Sequence, residues 1–287
     1  MELTPQARRV IAIWLALSVI GVLAVIFGLG PHMPPGNKST TAADQTETNI
    51  VISCVMTPIA LGVIVFFVYA LFTFRAGSDL TEDGPYLKGD ARIARGWIVT
   101  TTTIVLALAI YGTWELLRTD QGIAGTGGGQ GGSLITGAPK NALQVQVIAQ
   151  QWQFTYRYPQ YGNFETWQLA IPVGRPVIFH VTSIDVIHSF WAYQLGVKAD
   201  AVPGAENLVG TYAKKTGTFD IRCAELCGVW HGEMSSHGQI LSAGDFASWI
   251  NSQRAAEGGP AYQFQFSSRG SFPYSTVYYP DPQKRGG

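Results

Sequence analysis

Charged residues, cysteines and methionines are scarce in this sequence. Asp, Glu, Lys and Arg make up 13% of its 287 residues, their charges cancel to a formal net charge of zero, and only three cysteines and four methionines occur. Because the chain has no basic surplus to neutralise phosphates, we expect no nucleic-acid partner. Cys54 lies in an apolar run far from the other two cysteines, so a disulfide framework is excluded and only Cys223 and Cys227 form a local pair.

Long apolar runs are abundant. The mean hydropathy is +0.14, and three uncharged apolar runs lie in the N-terminal part of the chain. Each is close to the roughly 20 residues with which a helix crosses the hydrocarbon layer of a membrane. We therefore predict a transmembrane region at residues 1–118, with helices at about residues 8–30, 50–74 and 96–117.

Basic residues predict how these helices are oriented. Arg8 and Arg9 precede the first apolar run and four basic residues lie between the second and third runs, whereas the loop at residues 31–49 contains only Lys38. By the positive-inside rule, the N-terminus lies in the cytoplasm and everything after the third helix lies outside. We therefore expect a multi-pass protein of a bacterial-type plasma membrane, with a periplasmic or extracellular C-terminal part.

The first apolar run has a second interpretation as a cleaved export signal, because two arginines precede it. Against this, the run is longer than the usual signal core of about 7 to 15 residues. The sequence GPHMPPG that follows it has no clear small-x-small cleavage site. We therefore favour a retained transmembrane helix.

The C-terminal half of the chain alternates with a period of two, which is typical of β-strands. The stretch LQVQVIAQQWQFTYRY predicts one long strand, several shorter β-rich runs follow between Gly and Pro turns, and AGDFASWINSQRAA predicts a closing helix. Short strands at this spacing favour a small antiparallel β-sandwich or barrel, so the fold class is an α+β membrane protein. The predicted divisions are a glycine-rich flexible linker at about residues 119–141, the sandwich at about residues 142–250 and a tail without a recognisable pattern at about residues 251–287.

A cluster of metal-binding side chains stands out in the stretch CAELCGVWHGEM. Cys223, Cys227, His231 and Met234 follow one another at intervals of four, four and three residues, so one loop can present all of them to a single point. A disulfide would leave His231 and Met234 unexplained, and zinc has little use for a thioether. Copper prefers thiolate, imidazole and thioether ligands together. Two thiolates can bridge two copper ions, and such a site needs another histidine from elsewhere in the sandwich.

The candidate for this further histidine is His188, in the stretch DVIHSFW at the end of an apolar strand. A lone histidine in such a run is more often a hydrogen-bonded core residue, but the cluster downstream favours ligation. The other histidines, His32, His180 and His237, lack comparable neighbours, and we expect them to be structural or surface residues.

On these residues the chain resembles subunit II of cytochrome c oxidase. The family pattern is a histidine in a D-V-x-H-S segment and, about three dozen residues later, C-x-E-x-C-x-x-x-H-x-x-M. This chain has both, as DVIHS and CAELCGVWHGEM, and the stretches LGVKADAVPG and AQQWQF match as well. The resemblance runs from the second apolar run to about residue 250.

The resemblance implies a membrane-anchored cupredoxin domain that carries the dinuclear copper centre CuA. In the family two cysteines bridge the copper ions, one histidine binds each ion, a methionine binds weakly and a glutamate contributes its backbone carbonyl. By position these are Cys223 and Cys227, His188 and His231, Met234, and Glu225. The Glu225 carboxylate would also reach a magnesium ion at the border with subunit I. Trp152 stands where the family has the aromatic through which cytochrome c passes its electron, although a tryptophan there is otherwise an ordinary core or surface residue.

The implied function is electron uptake for a respiratory terminal oxidase. Cytochrome c would donate electrons to CuA, which would pass them to haem in subunit I for the reduction of oxygen to water. The implied partners are subunit I, other oxidase subunits, cytochrome c and the lipid membrane. Two alternatives are the CuA subunit of a nitric oxide reductase and a membrane-tethered carrier of a single Cu(I). A quinol oxidase subunit is disfavoured, because those lack the copper-binding cysteines.

The chain departs from the family pattern in places. The family usually has two transmembrane helices, which correspond to the second and third runs, so the first run is additional. Phe154 stands where the family has a tryptophan, and Ala205 where it often has an arginine. Many members have a glutamate at the entrance of a proton channel, and here that position is Ala94.

Overall fold

The computed structural model describes residues 4–74, 89–119 and 141–257. Almost all of the predicted linker and most of the predicted tail lie outside these described residues. The chain divides into two compact units, one made of Met1–Met33 and Glu47–Leu117 and the other of Pro34–Thr46 and Arg118–Gly287.

The first unit is helical. Its helices α1, α2 and α3 span Pro5–Leu23, Thr40–Thr73 and Ala91–Thr119, and α1 continues through a π-helical turn and a 3₁₀ turn to His32. By length and composition, all three are long and apolar enough to cross a membrane. Helix α2 begins well before its predicted start at about residue 50, because Ser39 caps its polar first turns.

Helices α1 and α2 pack closely through small residues. The indole of Trp14 donates a hydrogen bond to the backbone carbonyl of Pro58 at 2.7 Å. A Cβ added to Gly21 would lie 2.7 Å from a methyl group of Thr57, and one added to Gly62 would lie 3.2 Å from the Trp14 indole nitrogen. Glycines at these positions let the two helices approach, as small residues do between membrane helices. Retention of the first helix in the mature protein stays a prediction.

Within the described residues 141–257, the second unit contains ten strands and a closing helix, which together form the β domain. The helix α4 spans Ala243–Glu257, and Ser242 caps it by accepting a hydrogen bond from the Asp245 N–H. The strands are β1 Leu143–Gln150, β2 Gln153–Tyr158, β3 Phe164–Thr166, β4 Leu169–Pro172, β5 Pro176–Ser183, β6 His188–Ala192, β7 Val197–Ala201, β8 Asn207–Tyr212, β9 Gly217–Cys223 and β10 Ser235–Leu241.

The strands form a sandwich of two five-stranded sheets, ordered β3-β2-β1-β5-β8 and β4-β10-β9-β6-β7. Most neighbours are antiparallel, as predicted, but β1 with β5 and β4 with β10 are parallel pairs. The single long strand predicted from LQVQVIAQQWQFTYRY is wrong. The chain reverses at Gln151 and Trp152, so that Gln150 pairs with Gln153 and two antiparallel strands result.

An aromatic core between the sheets supports the end of the sandwich where the predicted ligands lie. The ring of Phe190 on β6 contacts those of Phe154, Tyr156 and Phe179, with centroids 5.2 to 6.4 Å apart. Phe190 also pairs with Cys223 across β6 and β9. Buried aromatic packing therefore holds in place the strands that carry His188 and Cys223.

Candidate metal centre

Two segments of the β domain build the site. His188 is the first residue of β6 and Cys223 the last residue of β9, and the pairing of these strands brings the two residues together. The loop after Cys223 returns to β10 and is closed at its base, where the Cys223 N–H donates to the Met234 carbonyl at 3.0 Å. The Ala224 N–H also donates to the Ser189 carbonyl at 3.0 Å, which fastens the loop to β6.

The predicted ligand side chains converge at this place. The sulfurs of Cys223 and Cys227 lie 3.8 Å apart, far beyond the roughly 2.05 Å of a disulfide, and both thiols are free. Each sulfur has one histidine beside it, with 3.9 Å from Cys223 Sγ to His188 Nδ1 and 3.6 Å from Cys227 Sγ to His231 Nδ1. The Met234 sulfur lies 3.9 Å from Cys227 Sγ. His188, Cys223 and Cys227 are close enough to hold a metal ion together.

Glu225 approaches the site through its backbone. Its carbonyl oxygen lies 3.2 Å from the sulfur of Cys223, and the residue is otherwise exposed. The carbonyl is therefore placed at the cluster, while the carboxylate has room to face outward. The structure thus brings together every side chain that the sequence predicted as a ligand, and their roles as ligands stay predictions.

Asp185 orients the buried His188. The Nε2 atom of His188 lies 2.9 Å from Asp185 Oδ1, which leaves Nδ1 directed at the Cys223 sulfur. Burial alone lowers the pKa of His188, but hydrogen bonds with Cys223 and Asp185 outweigh this effect and raise the pKa above the usual value. Burial alone raises the pKa of Asp185, but hydrogen bonds from the Gln151 N–H and from His188 lower it overall. A carboxylate behind a histidine is the usual arrangement at metal sites.

The two thiols have opposite acidities. Burial alone raises the pKa of Cys223, yet hydrogen bonds, first among them the one with His188, lower the pKa of this thiol to about 6. Burial and the adjacent Cys223 raise the pKa of Cys227 to about 12. One thiolate therefore forms readily at neutral pH, whereas at this pH loss of the second proton requires a cation that stabilises both negative charges.

Two neighbouring residues on the β1–β2 turn of the first sheet hold the ligand loop by hydrogen bonds. Trp152 Nε1 and Gln151 Nε2 both donate to the Cys227 carbonyl, at 3.1 and 2.7 Å, and the Gln151 N–H donates to Asp185 Oδ2 at 2.7 Å. Gly228 has a φ of +119°, and a Cβ there would lie 3.0 Å from Gln151 Nε2. Gln151 was not predicted as part of the site, because its only signal in the sequence is its place beside Trp152.

The surface around the site is apolar. Leu226, Val229 and Trp230 in the ligand loop are 78%, 86% and 58% exposed, and Val186 and Ile187 beside His188 are exposed as well. Trp152 is half-buried and packs against the core. Clustered exposed apolar side chains are typical of interaction surfaces.

Two of the remaining histidines have other partners, in agreement with their predicted structural or surface roles. His180 lies between Glu206 and Gln144 on the first sheet. His237 is exposed and contacts Asp220 at 2.7 Å.

The chain is similar to proteins of one family. A family model described as cytochrome c oxidase subunit II, periplasmic domain, matches residues 166–238. The chain is 28% identical to cytochrome c oxidase subunit 2 of Synechocystis over 268 residues, covering 81% of this chain and 79% of that protein. It is 37% identical to cytochrome c oxidase subunit 2 of Thermostichus vulcanus over 118 residues, covering 41% of this chain and 36% of that protein.

Among solved structures, the chain is similar to the periplasmic domain of cytochrome oxidase subunit II from Bradyrhizobium japonicum, with 33% sequence identity and a TM-score of 0.39. That match covers 41% of this chain and 96% of the solved domain. Apart from the Synechocystis protein, the relatives most similar in sequence are matched over less than two thirds of their own length.

Proposed function

This chain belongs to the cytochrome c oxidase subunit II family, and from that premise we propose that it is the subunit through which electrons enter a membrane-bound terminal oxidase. In this proposal, cytochrome c is the donor, a dinuclear copper centre is the first acceptor, and haem in subunit I receives the electrons for reduction of oxygen to water. The observation that carries the proposal is the pair of cysteine sulfurs 3.8 Å apart, each with one histidine Nδ1 beside it.

The donor set fits two copper ions. The site offers two thiolates, two imidazoles, a thioether and a backbone carbonyl. This set matches the preference of copper for soft and borderline ligands. Bound copper would supply one-electron redox chemistry at this place. The residues that would hold it are His188, Cys223, Glu225 through its carbonyl, Cys227, His231 and Met234.

The protein's own contribution is to keep these ligands still. His188 and Cys223 lie at the ends of paired strands, Asp185 fixes the ring of His188, and the loop is closed at Met234. Ligands that barely move between oxidised and reduced states keep the reorganisation energy low, which favours rapid electron transfer. Rigid support of this kind also tunes the potential of a metal centre.

Trp152 supplies the path from the surface. Its half-buried ring is joined to the Cys227 carbonyl by a hydrogen bond, and covalent bonds continue from that carbonyl to the Cys227 sulfur. An electron that arrives at the indole therefore crosses a single non-covalent contact before it reaches a copper ligand. The exposed apolar side chains nearby offer the donor a contact surface, since such clusters are typical of interaction sites.

We also propose how the protein is anchored in the membrane and which subunits it contacts. The helices would anchor it as a multi-pass protein of a bacterial-type plasma membrane, with the β domain on the periplasmic or extracellular side. Subunit I and other oxidase subunits would be its partners, and the exposed Glu225 carboxylate would contribute to a magnesium site at the border with subunit I.

Purification of the complex tests the proposal. We expect a haem spectrum in the membrane complex, oxygen consumption with reduced cytochrome c, and the intense purple absorption of mixed-valence copper. Nitric oxide reduction without oxygen reduction would identify the alternative reductase. A colourless protein that binds a single Cu(I) and lacks haem-containing partners would identify the copper carrier.

A further inference from the structure

Four exposed apolar side chains lie on the two segments that carry the site. Val229 and Trp230 belong to the ligand loop and are 86% and 58% exposed, and Val186 and Ile187, directly before His188, are 39% and 47% exposed. We call Val186, Ile187, Val229 and Trp230 the apolar patch. Large apolar side chains that stay in water close together are typical of interaction surfaces.

The ligand-loop half of the apolar patch adjoins Trp152. A Cβ added to Gly228 would lie 3.2 Å from a carbon of the Trp152 indole ring. The His231 N–H donates to the Gly228 carbonyl at 3.1 Å, which folds the loop into a tight turn. Val229 and Trp230 are the two residues inside this turn. The loop therefore presents them next to the proposed electron-entry residue.

The other half of the apolar patch is joined to the same place through Asp185. The carboxylate of Asp185 accepts hydrogen bonds from the Gln151 N–H at 2.7 Å and from the Val186 N–H at 2.6 Å. Gln151 directly precedes Trp152, and Ile187 directly follows Val186. Both halves of the apolar patch are thus connected to the turn that carries Trp152.

Little charge accompanies the apolar patch. The segments 185–188 and 224–234 contain three acidic residues and no lysine or arginine. The carboxylate of Asp185 is hydrogen bonded within the domain, and in the proposed function Glu225 contributes to the border with subunit I. Within these two described segments, Glu233 is the exposed charge that is left for a partner. A protein that docks here therefore meets a surface that is mainly apolar.

We infer that the apolar patch, together with Trp152, is the docking surface of the electron donor, and that this donor is a redox protein whose cofactor edge is surrounded by uncharged apolar side chains. The inference rests on the proposed function and adds the kind of donor that the site accepts. Contacts between redox proteins bury little surface. A few well-placed apolar side chains around the entry residue are therefore sufficient to carry the binding energy.

Apolar docking and docking by ion pairs respond differently to salt. Attraction between exposed charges, and the rapid association that it causes, decline as salt screens the charges. Burial of apolar surface is not screened in this way. Between about 10 and about 100 mM salt the screening length falls from about 30 to about 10 Å. Over this range a donor held by ion pairs loses affinity, whereas a donor held by apolar contacts keeps it.

The test uses the full chain in its oxidase complex and two forms of one donor. The first form is a lysine-rich cytochrome c, and the second is the same cytochrome c after acetylation of its lysines, which removes their charges. Steady-state oxidation of each form gives KM and kcat. The copper absorption spectrum and the rate of reduction by ascorbate, a small molecule that needs no docking surface, report the state of the copper site itself.

Two variants remove apolar surface from the apolar patch. Val229→Ser and Trp230→Gln should each raise KM for the acetylated donor by about fivefold or more, the size of a typical hot-spot loss. The copper spectrum and the reduction by ascorbate should stay as in the wild type. Trp167→Gln makes the same change at an exposed tryptophan outside the ligand cluster, and this matched control should alter none of these quantities. An unchanged KM in both patch variants would overturn the inference.

A second measurement needs no variant and keeps the inference testable if these substitutions disturb folding. In the wild-type complex, KM for the acetylated donor should be no higher than KM for the lysine-rich form. It should also change less than about twofold between about 10 and about 100 mM salt. A KM that rises about tenfold or more on acetylation or on addition of salt would show docking by ion pairs, which would overturn the inference.

Other outcomes separate this inference from the proposed function. If the apolar patch instead contacted subunit I, the patch variants would lose haem from the purified complex, and the inference would be wrong. Copper that ascorbate reduces but neither form of cytochrome c reduces would contradict the proposed function, because cytochrome c would then not be the donor. Absence of the copper spectrum from the wild-type complex would contradict the proposed function as well.

Discussion

The indole N–H of Trp152 donates a hydrogen bond to the backbone carbonyl of Cys227 at 3.1 Å. This contact joins a half-buried aromatic on the β1–β2 turn to a residue whose sulfur lies at the centre of the ligand cluster. In the proposed function this contact also makes Trp152 the entry point for electrons, and experiment can separate that role from a structural one.

Replacement of Trp152 by Gln should slow electron uptake from cytochrome c by orders of magnitude, because the path into Cys227 is lost. Copper content, copper spectrum and thermal stability should change little, since the ring is only half-buried. Stopped-flow reduction and a thermal melt of the same variant measure both effects. Trp167→Gln, at an exposed tryptophan outside the ligand cluster, is the control and should behave as wild type. A loss of roughly 3 kcal/mol or more, the size of a large-to-small core change, would instead identify Trp152 as a core residue.

Asp185→Asn should lower the pKa of His188 in the metal-free protein, because the carboxylate that helps to raise this pKa is lost. It should also weaken copper binding by about 10- to 100-fold, the usual effect of removing the partner of a ligand histidine. NMR titration of the histidine and competition with a copper chelator measure these effects. Asp220→Asn removes the carboxylate beside the exposed His237 and should leave copper affinity unchanged. An unaltered affinity in Asp185→Asn would contradict the positioning role.

The two site thiols of the metal-free protein should titrate separately. The lowered pKa of Cys223 predicts one thiolate near pH 6, and the raised pKa of Cys227 predicts that the second forms only at strongly alkaline pH. Thiolate absorbance in the ultraviolet, recorded in a Cys54→Ser background, follows both steps. If both thiols titrated near the ordinary pKa of cysteine, this would show that the two thiols do not interact in the metal-free protein.

Met234→Leu should keep both copper ions but alter the spectrum and raise the potential, because a thioether contributes weakly to affinity yet affects electron density at the metal. Cys227→Ser should be far more damaging, since it removes a bridging thiolate. Copper analysis and redox titration of both variants give the ranking. Equal loss of copper in the two would contradict the assigned ligand roles.

N-terminal sequencing of the mature protein tests the first helix. We expect residues before α1 to be present, because Trp14 and Gly21 fit against α2. A mature N-terminus after Gly30 would identify the first helix as an export signal.

Local patterns in the sequence predicted the ligand loop and the apolar helices, because their residues are contiguous and their spacing carries the information. His188 was predicted from its place at the end of an apolar strand together with the cluster downstream, and the D-V-x-H-S resemblance pointed to the same residue. The hydrogen bond from Gln151 to Cys227 joins residues 76 positions apart. The hydrogen bond from Ser39 to Leu195 joins residues 156 positions apart. No local sequence pattern encodes such contacts. The reversal at Gln151 and Trp152 was not predicted, although the alternation changes phase there: the core residues are odd-numbered in β1 and even-numbered in β2.

In the proposed function the two cysteines and the two histidines hold a dinuclear copper centre. Metal analysis of the purified full chain after copper loading, together with its visible spectrum, tests this most directly. We expect two copper ions per chain and the purple colour of a mixed-valence pair. A single copper ion per chain, or zinc bound in preference to copper, would contradict it.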